Sequence, residues 1–314
     1  MRTVVTGGAG FIGSTLVDRL AARGDDVLVV DDLSTGSADN LADARAGRSG
    51  TVELAVADIG ETGTAELVAA QRPEVVFHLA AQVDVRLSVD APVADARTNV
   101  IGLLRVLDGA LAGGARKVVF ASSGGTIYGE ADPALLPFDE DTPQRPLSPY
   151  GVAKLAGGLY LDVYGVLHGL AGTTLALANV YGPRQDPNGE AGVVAIFAGR
   201  LLSGRPCTVF GTGEQIRDFV YVDDVVDALL AAADRADGKL LNIGTGVGTS
   251  VNDLYRTMAA IVGGPDDPER GSARPGELDR SVLDATRAVG ELGWRPVTGL
   301  DDGLRATLEW FSDR

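Results

Sequence analysis

The opening stretch restricts this chain more than any other. Arg2 to Thr6 reads as a short buried strand, and Thr6-Gly7-Gly8-Ala9-Gly10-Phe11-Ile12-Gly13 follows it directly. A helical pattern then covers about 13–23. Gly7, Gly10 and Gly13 therefore form a G-x-x-G-x-x-G turn between a strand and a helix. Small residues there let the backbone approach a pyrophosphate, whose charge the helix N-terminus stabilises. Glycine spacing alone is weak in a chain with 42 glycines, and the strand-to-helix context gives it weight. The next apolar strand, 27–30, ends at Asp31-Asp32. Asp31 lies where an acid binds the hydroxyls of an adenosine ribose. That choice favours NAD over NADP, whose 2′-phosphate wants an arginine. Asp58, at the end of another strand, either reaches the adenine or is a solvated loop acid.

Further apolar runs at 52–56, 74–79, 117–121 and 173–178 alternate with helical patterns at 64–71, 95–111 and 150–168. Strands that are apolar throughout, alternating with helices, indicate a parallel sheet covered on both faces. Right-handed crossovers make it a doubly wound α/β domain, the Rossmann arrangement. After residue 178 the pattern breaks into shorter pieces. A loop is expected over 182–189, and a long polar loop with Pro265, Pro268 and Pro275 over 263–276. Two units are expected: an NAD-binding domain over 1–178 and a smaller C-terminal substrate-binding domain over 179–314. Some segments of the second return to the first sheet.

Composition removes several functions. A net charge of −16 argues against a nucleic-acid surface, although a few arginines can hold a phosphate locally. Cys207 is the single cysteine, so no intrachain disulfide can form, which fits a reducing cytoplasm. His78 and His168 stand far apart with no Cys/His cluster, and no metal site is expected. No signal peptide is expected from the apolar strand at Thr3-Val4-Val5. The most apolar run, 225–233, is too short and too flanked by aspartates to cross a membrane.

Chemistry enters at Ser148-Pro149-Tyr150-Gly151-Val152-Ala153-Lys154. Tyr150 and Lys154 are four apart and share a face if a helix begins there. A phenol, with an ordinary pKa near ~10, is a poor base at neutral pH. A neighbouring ammonium favours the phenolate, so the pair can serve as general base and, in reverse, as acid. Y-x-x-x-K also arises by chance. Lysine is scarce here, however, with Lys117 and Lys239 the only others.

These motifs occur in order with Asp31-Asp32-Leu33-Ser34-Thr35-Gly36, His78-Leu79-Ala80-Ala81, Asn99-Val100, Ser122-Ser123, Tyr128-Gly129 and Asn179-Val180-Tyr181-Gly182. The set resembles the extended short-chain dehydrogenase/reductases, and within them the NAD-dependent nucleotide-sugar epimerases and dehydratases. It is most similar to the UDP-glucose 4-epimerase branch. The resemblance covers nearly the whole chain. It implies that Tyr150 is the catalytic base for the sugar 4-hydroxyl and that Lys154 lowers its pKa and bonds the nicotinamide ribose. It implies NAD contacts from Gly7, Gly10, Phe11, Ile12, Gly13, Asp31, Asp32, Ser34, Gly36, Asp58, Ile59, Leu79, Ala80, Ala81, Asn99 and Ser122. A UDP-sugar would meet Gln82, Thr126, Asn179, Val193, Arg217, Arg274, Glu277 and Ser281, with Arg217 and Arg274 on the diphosphate and Glu277 on the uridine ribose. Asp223-Asp224 reads instead as a helix N-cap, and Gly244-Thr245-Gly246 as a structural turn.

One departure stands out. Such enzymes carry a third hydroxyl where this chain has Gly124. Ser123, Thr126 or a water must replace it, and Thr126 is the favoured candidate. The absence of an Asp-Glu pair around 124–126 points away from 4,6-dehydration, which needs a further acid and base. Ser281 stands where hexose-specific relatives hold a tyrosine, so 2-acetamido sugars are also expected to fit. Glucuronate is disfavoured by Asn179 and Asp186. A redox sensor that only binds NAD is the non-enzyme alternative, against which the intact Tyr/Lys pair weighs. The resemblance also implies a homodimer built on the helices over 95–111 and 150–168, although Gly157, Gly158 and Gly165 weaken the second of these.

Overall fold

The computed structural model describes residues 1–314 apart from 48, 131, 188–191 and 274–277. In chain order the strands are β1 (Arg2–Thr6), β2 (Asp26–Asp31), β3 (Thr51–Val56), β4 (Val75–His78), β5 (Lys117–Ser123) and β6 (Ala171–Leu177). The chain then leaves the sheet for β7 (Asn179–Tyr181), β8 (Thr208–Phe210) and β9 (Ile216–Tyr221), and returns as β10 (Lys239–Ile243). Seven of these form one parallel sheet in the order β10-β6-β5-β4-β1-β2-β3. The apolar runs explain the layering. β1, β4 and β5 are buried almost throughout, whereas β3, at the edge, alternates. Leu16, Val17 and Leu20 of the helix Phe11–Arg23 cover one face, together with Val225 and Leu229. Leu103, Val106, Leu107 and Leu161 cover the other. The chain order reverses between β1 and β4, the crevice where ligands bind in such sheets.

The second unit adds β11 (Gly248–Ser250), β12 (Glu269–Gly271) and β13 (Arg280–Ser281). β9 is its centre, pairing with β11, β13 and β7, while β8 pairs with β12. The expected polar loop over 263–276 therefore contains a short strand, which the prolines on either side concealed. Tyr181, Phe197, Phe219, Tyr255 and Met258 form this unit's own core. The return to the first sheet is real and includes more than β10, since Ala288, Leu292 and Trp294 pack into the sheet's core as well.

Three helices differ from the expectation. The run over 95–111 is longer and not uniform: helix Pro92–Ala96 passes into a π-helical stretch, Arg97–Gly102, and then into helix Leu103–Gly113. Pro149–His168 is one continuous 20-residue helix despite its glycines. A Cβ at Gly157 would lie 2.6 Å from Phe120 Cζ and 2.9 Å from Leu103 Cδ2, so the glycine lets the helix lie close on β5. Asp223 and Asp224 sit in the first turn of helix Val222–Ala232 and do not cap it; Tyr221 holds that position without a side-chain bond. Asp224 instead accepts from the backbone N–H groups of Val297 (3.1 Å) and Thr298 (3.0 Å), fastening the C-terminal segment. Among the described residues no helix is long and apolar enough to cross a membrane, and no group of three metal-binding side chains is present.

Candidate active site

The sequence-selected residues gather at the C-terminal edge of the parallel sheet. A Cβ on Gly13 would overlap Gly7 O, and one on Gly7 would lie 2.6 Å from Ala80 N. These two glycines weld the turn after β1 to the helix and to the segment after β4. Gly10 is different: its nearest neighbour would be Gly7 O at 3.3 Å, so its open side is available to a ligand. Gly10 also caps helix Phe11–Arg23 with no side-chain bond, and no acid occupies the first turn. A helix N-terminus with bare N–H groups and no competing carboxylate fits a pyrophosphate. Asp31 is buried at the end of β2 and accepts from Ala9 N and Leu33 N, both at 2.9 Å. Its remaining lone pairs fit ribose hydroxyls, and Gly36 packs 3.1 Å from Oδ1 by its virtual Cβ. The donor set and the cradle thus suit NAD.

Neighbouring loops are held by their own acids. Asp32 accepts from Ser34 N and Ser34 Oγ at 2.9 and 2.6 Å. Asp58 accepts from Gly60 N at 2.7 Å, which is a turn contact, and Ile59 is buried behind it. Asn99 and Gln82 are engaged inside the protein. Asn99 Oδ1 accepts from Gln82 N (3.0 Å), and its amide donates to Gln82 O (2.9 Å) and to buried Asp95 (2.8 Å). The Gln82 amide donates to Asp84 O and Asp95 and accepts from Asp84 N. Asn99, from the π-helical stretch, fixes the 79–82 loop through the Gln82 backbone, and the Gln82 side chain is directed to Asp95. Sequence reasoning missed Asp95 altogether, because an acid inside an amphipathic helix reads as a solvated face.

Tyr150 and Lys154 stand on one face of helix Pro149–His168, which Ser148 caps by accepting from Gly151 N at 3.1 Å. Both are buried, Tyr150 9% and Lys154 4% exposed. Lys154 Nζ donates to Ala121 O at 2.9 Å, at the end of β5, and lies 5.7 Å from the Tyr150 ring centre. Burial brings the lysine down to about 8, against the opposing pull of Asp95. Burial also pushes the Tyr150 phenol up to about 12; a bond from Ser123 works against this and Asp95 adds to it. This differs from the expectation that Lys154 would dominate and draw the phenol down. Within the protein's own groups, desolvation of the phenolate is the larger effect.

His78 stays neutral next to this pair, its pKa lowered to about 3 by burial and then by Lys154. Thr6 Oγ1 accepts from Ala80 N at 3.3 Å and shares a hydrogen bond with His78 Nδ1 at 2.8 Å. Of the hydroxyls near β5, Ser122 donates to Lys154 O at 3.1 Å and serves the helix. Thr126 donates to Ser123 O at 3.4 Å, a weak bond within the short helix Gly124–Ile127. Tyr128 is structural, donating to Asn242 of β10 at 2.7 Å.

In the second unit, Asn179 stands at the start of β7, Val193 at the start of helix Val193–Leu202, and Arg217 in β9. Arg217 pairs in register with buried Ser281 of β13 and donates to Ile216 O at 2.9 Å. Arg274 and Glu277 lie outside the described residues. The Gly244-Thr245-Gly246 turn is fastened to buried Asp218, which accepts from Thr245 N (2.9 Å) and Gly246 N (3.1 Å); it is a structural turn.

The model of the NAD dependent epimerase/dehydratase family matches residues 3–244. A UDP-glucose 4-epimerase of Mycolicibacterium smegmatis is 51% identical, over 100% of this chain and 99% of the relative. The crystal structure of a UDP-glucose 4-epimerase from Thermotoga maritima, with UDP-glucose, has a TM-score of 0.94 at 45% identity, covering 100% of this chain and 99% of that one. The Thermus thermophilus UDP-glucose 4-epimerase complexed with NAD has a TM-score of 0.91 at 42% identity, with 99% of each chain covered. The family model covers well over half of the chain and the relatives align over its whole length, so the chain belongs to the NAD-dependent epimerase/dehydratase family.

Proposed function

We propose that this chain is an NAD-dependent isomerase that inverts C4 of a UDP-hexose, interconverting UDP-glucose and UDP-galactose through a transient 4-keto sugar. The observation that carries the reading is the buried Tyr150/Lys154 pair at the C-terminal end of β5, beside the glycine cradle. NAD supplies a reversible hydride acceptor for the sugar C4. Tyr150 takes the 4-hydroxyl proton and returns it once the ketose has turned over in the site. Lys154, kept in place by Ala121 O, provides the positive charge beside the phenolate. Arg217 binds the diphosphate as a fork of paired donors. The short helix Gly124–Ile127 carries no carboxylate, which favours epimerisation over elimination of water. Small Ser281 next to Arg217 supports acceptance of UDP-GlcNAc as a second substrate.

The active form is a cytoplasmic homodimer. Val93 is 83% and Val166 85% exposed, and Leu87, Val89, Val152, Leu159 and Leu167 extend the same apolar character over the helices around 85–102 and 149–168. A second copy covering this face accounts for so many exposed aliphatics, and sedimentation equilibrium tests it.

The decisive experiment is Tyr150→Phe. Turnover of UDP-glucose should fall at least ~10³-fold, in the range general acid–base groups supply, while NAD stays bound. Retained activity in this variant removes the reading.

A further inference from the structure

Helix Pro149–His168 starts with every N–H of its first turn met, and one of the partners comes from another segment. Pro149 has no N–H to satisfy. Gly151 N donates to Ser148 Oγ at 3.1 Å and Val152 N to Ser148 O at 2.9 Å. The remaining donor is Tyr150 N, which donates to Ser88 Oγ at 3.2 Å. Ser88 is fully buried, and its own proton goes to Val85 O at 2.6 Å, so its oxygen is left to accept. It stands in the short helix Val85–Asp90, which Asp84 caps by accepting from Arg86 N (2.8 Å) and Leu87 N (3.1 Å).

The same segment is closed by Asp95. Gln82 Oε1 accepts from Asp84 N, and Asn99 Oδ1 accepts from Gln82 N, which fixes the orientation of both amides. Their NH₂ groups then converge on one atom, Asp95 Oδ1, at 3.0 Å from Gln82 and 2.8 Å from Asn99. Asp95 is buried and lines a groove with Ser148, Pro149 and Ala153, against the start of the catalytic helix. Hydrogen bonds therefore run from Asn99 through Asp95, Gln82 and Asp84 to the helix that carries Ser88, and end on the backbone of Tyr150.

We infer that residues 82–99 clamp the catalytic helix, with Ser88 the positioning residue that grips Tyr150 and Asp95 the positioning residue that locks the clamp. The inference rests on the 4-epimerase reading, in which Tyr150 must meet the sugar 4-oxygen. Both residues act through the placement of Tyr150, and a misplacement of about 1 Å costs a reaction dearly. Loss of the clamp should therefore appear in kcat and leave the nucleotide sugar bound as before. Because one Asp95 oxygen takes both amides, asparagine can keep both bonds while losing the charge, which separates hydrogen bonding from electrostatics.

The test uses the full-length chain with NAD bound. Ser88→Ala should lower kcat for UDP-glucose about tenfold or more, with KM within about twofold of wild type. Hydrogen exchange at the Tyr150 amide should become faster in the same variant. Asp95→Ala should lower kcat comparably, and Asp95→Asn should stay within about threefold of wild type. The double variant Ser88→Ala/Asp95→Ala should lose little more than either alone, since both changes break one device. Ser88→Ala with unchanged kcat, or with a loss confined to KM, overturns the grip. Asp95→Asn as impaired as Asp95→Ala overturns the lock, and losses that multiply in the double variant overturn the single clamp. A wild-type chain that turns over no UDP-hexose removes the 4-epimerase reading instead, and the exchange rate of the Tyr150 amide then still decides the grip of Ser88.

Discussion

Asp31→Asn tests whether the second strand's acid serves both the fold and the cofactor. Its carboxylate accepts from two backbone N–H groups, Ala9 N and Leu33 N, both at 2.9 Å, and is 7% exposed. Asparagine keeps one acceptor oxygen and turns an NH₂ group against the other N–H. One hydrogen bond to a charged acceptor is lost, at roughly 1.5–3 kcal/mol, and the other weakens to a neutral one, so the cost is about 2–4 kcal/mol. Melting shifts by roughly 2–4 °C per kcal/mol in chains somewhat shorter than this one, which sets an expected fall of about 5 °C or more. The same change removes the charge expected to meet the ribose hydroxyls, and on that reading NAD affinity should drop at least about tenfold. Scanning calorimetry without added NAD reads the first effect, and fluorescence titration with NAD reads the second. A variant that melts within about 1 °C of wild type would refute the claim that Asp31 anchors the turns around Ala9 and Leu33. Unchanged NAD affinity would refute the ribose role.

Two further outcomes follow from the site. Lys154 falls from its ordinary 10.5 to about 8 in the fold, so holding the ammonium there costs roughly 3 kcal/mol at neutral pH. A base whose folded pKa is depressed weighs on stability below that pKa, and the burden fades as pH rises from 8 towards 10.5. Lys154→Met should therefore be inactive yet melt higher than wild type at pH 7, with the gap closing above pH 8; a lower melting point at pH 7 would contradict this. Ser281 is buried beside Arg217, and Ser281→Tyr should depress UDP-GlcNAc turnover far more than UDP-glucose turnover. An unchanged ratio would show that position 281 does not gate the 2-acetamido group.

Much of this molecule is legible in order along the chain because its determinants are local. A buried parallel strand needs an unbroken apolar run, and a pyrophosphate cradle needs glycines within one turn, so β1, the cradle and Asp31 can be read from thirty consecutive residues. The Tyr150/Lys154 pair is legible for the same reason, since four residues make a helical neighbourhood. Features closed by distant segments are not legible. β12 is three residues between prolines and exists only because β8 offers a partner. Asp224 has the local look of a cap, but its acceptors are claimed by Val297 and Thr298. Asp95 lies on a helix whose exposed side is plain in the pattern, and only the arrival of Gln82 and Asn99 makes its carboxylate part of the site.

The packing around Gly124 belongs to the same class. Local reasoning sees only that this position lacks a hydroxyl. The residue that occupies the space beside it is in another unit. Leu283 reaches the catalytic wall through a bridge with Phe138 and a bond to Asp218, two residues that never meet in a window of sequence. Glycine at 124 and leucine at 283 are then one packing decision, and changing either alone creates an overlap or a cavity. Gly124→Ala should accordingly melt several degrees lower than wild type, and Leu283→Ala placed in the same chain should recover part of that fall; a Gly124→Ala chain that melts as wild type would contradict the overlap.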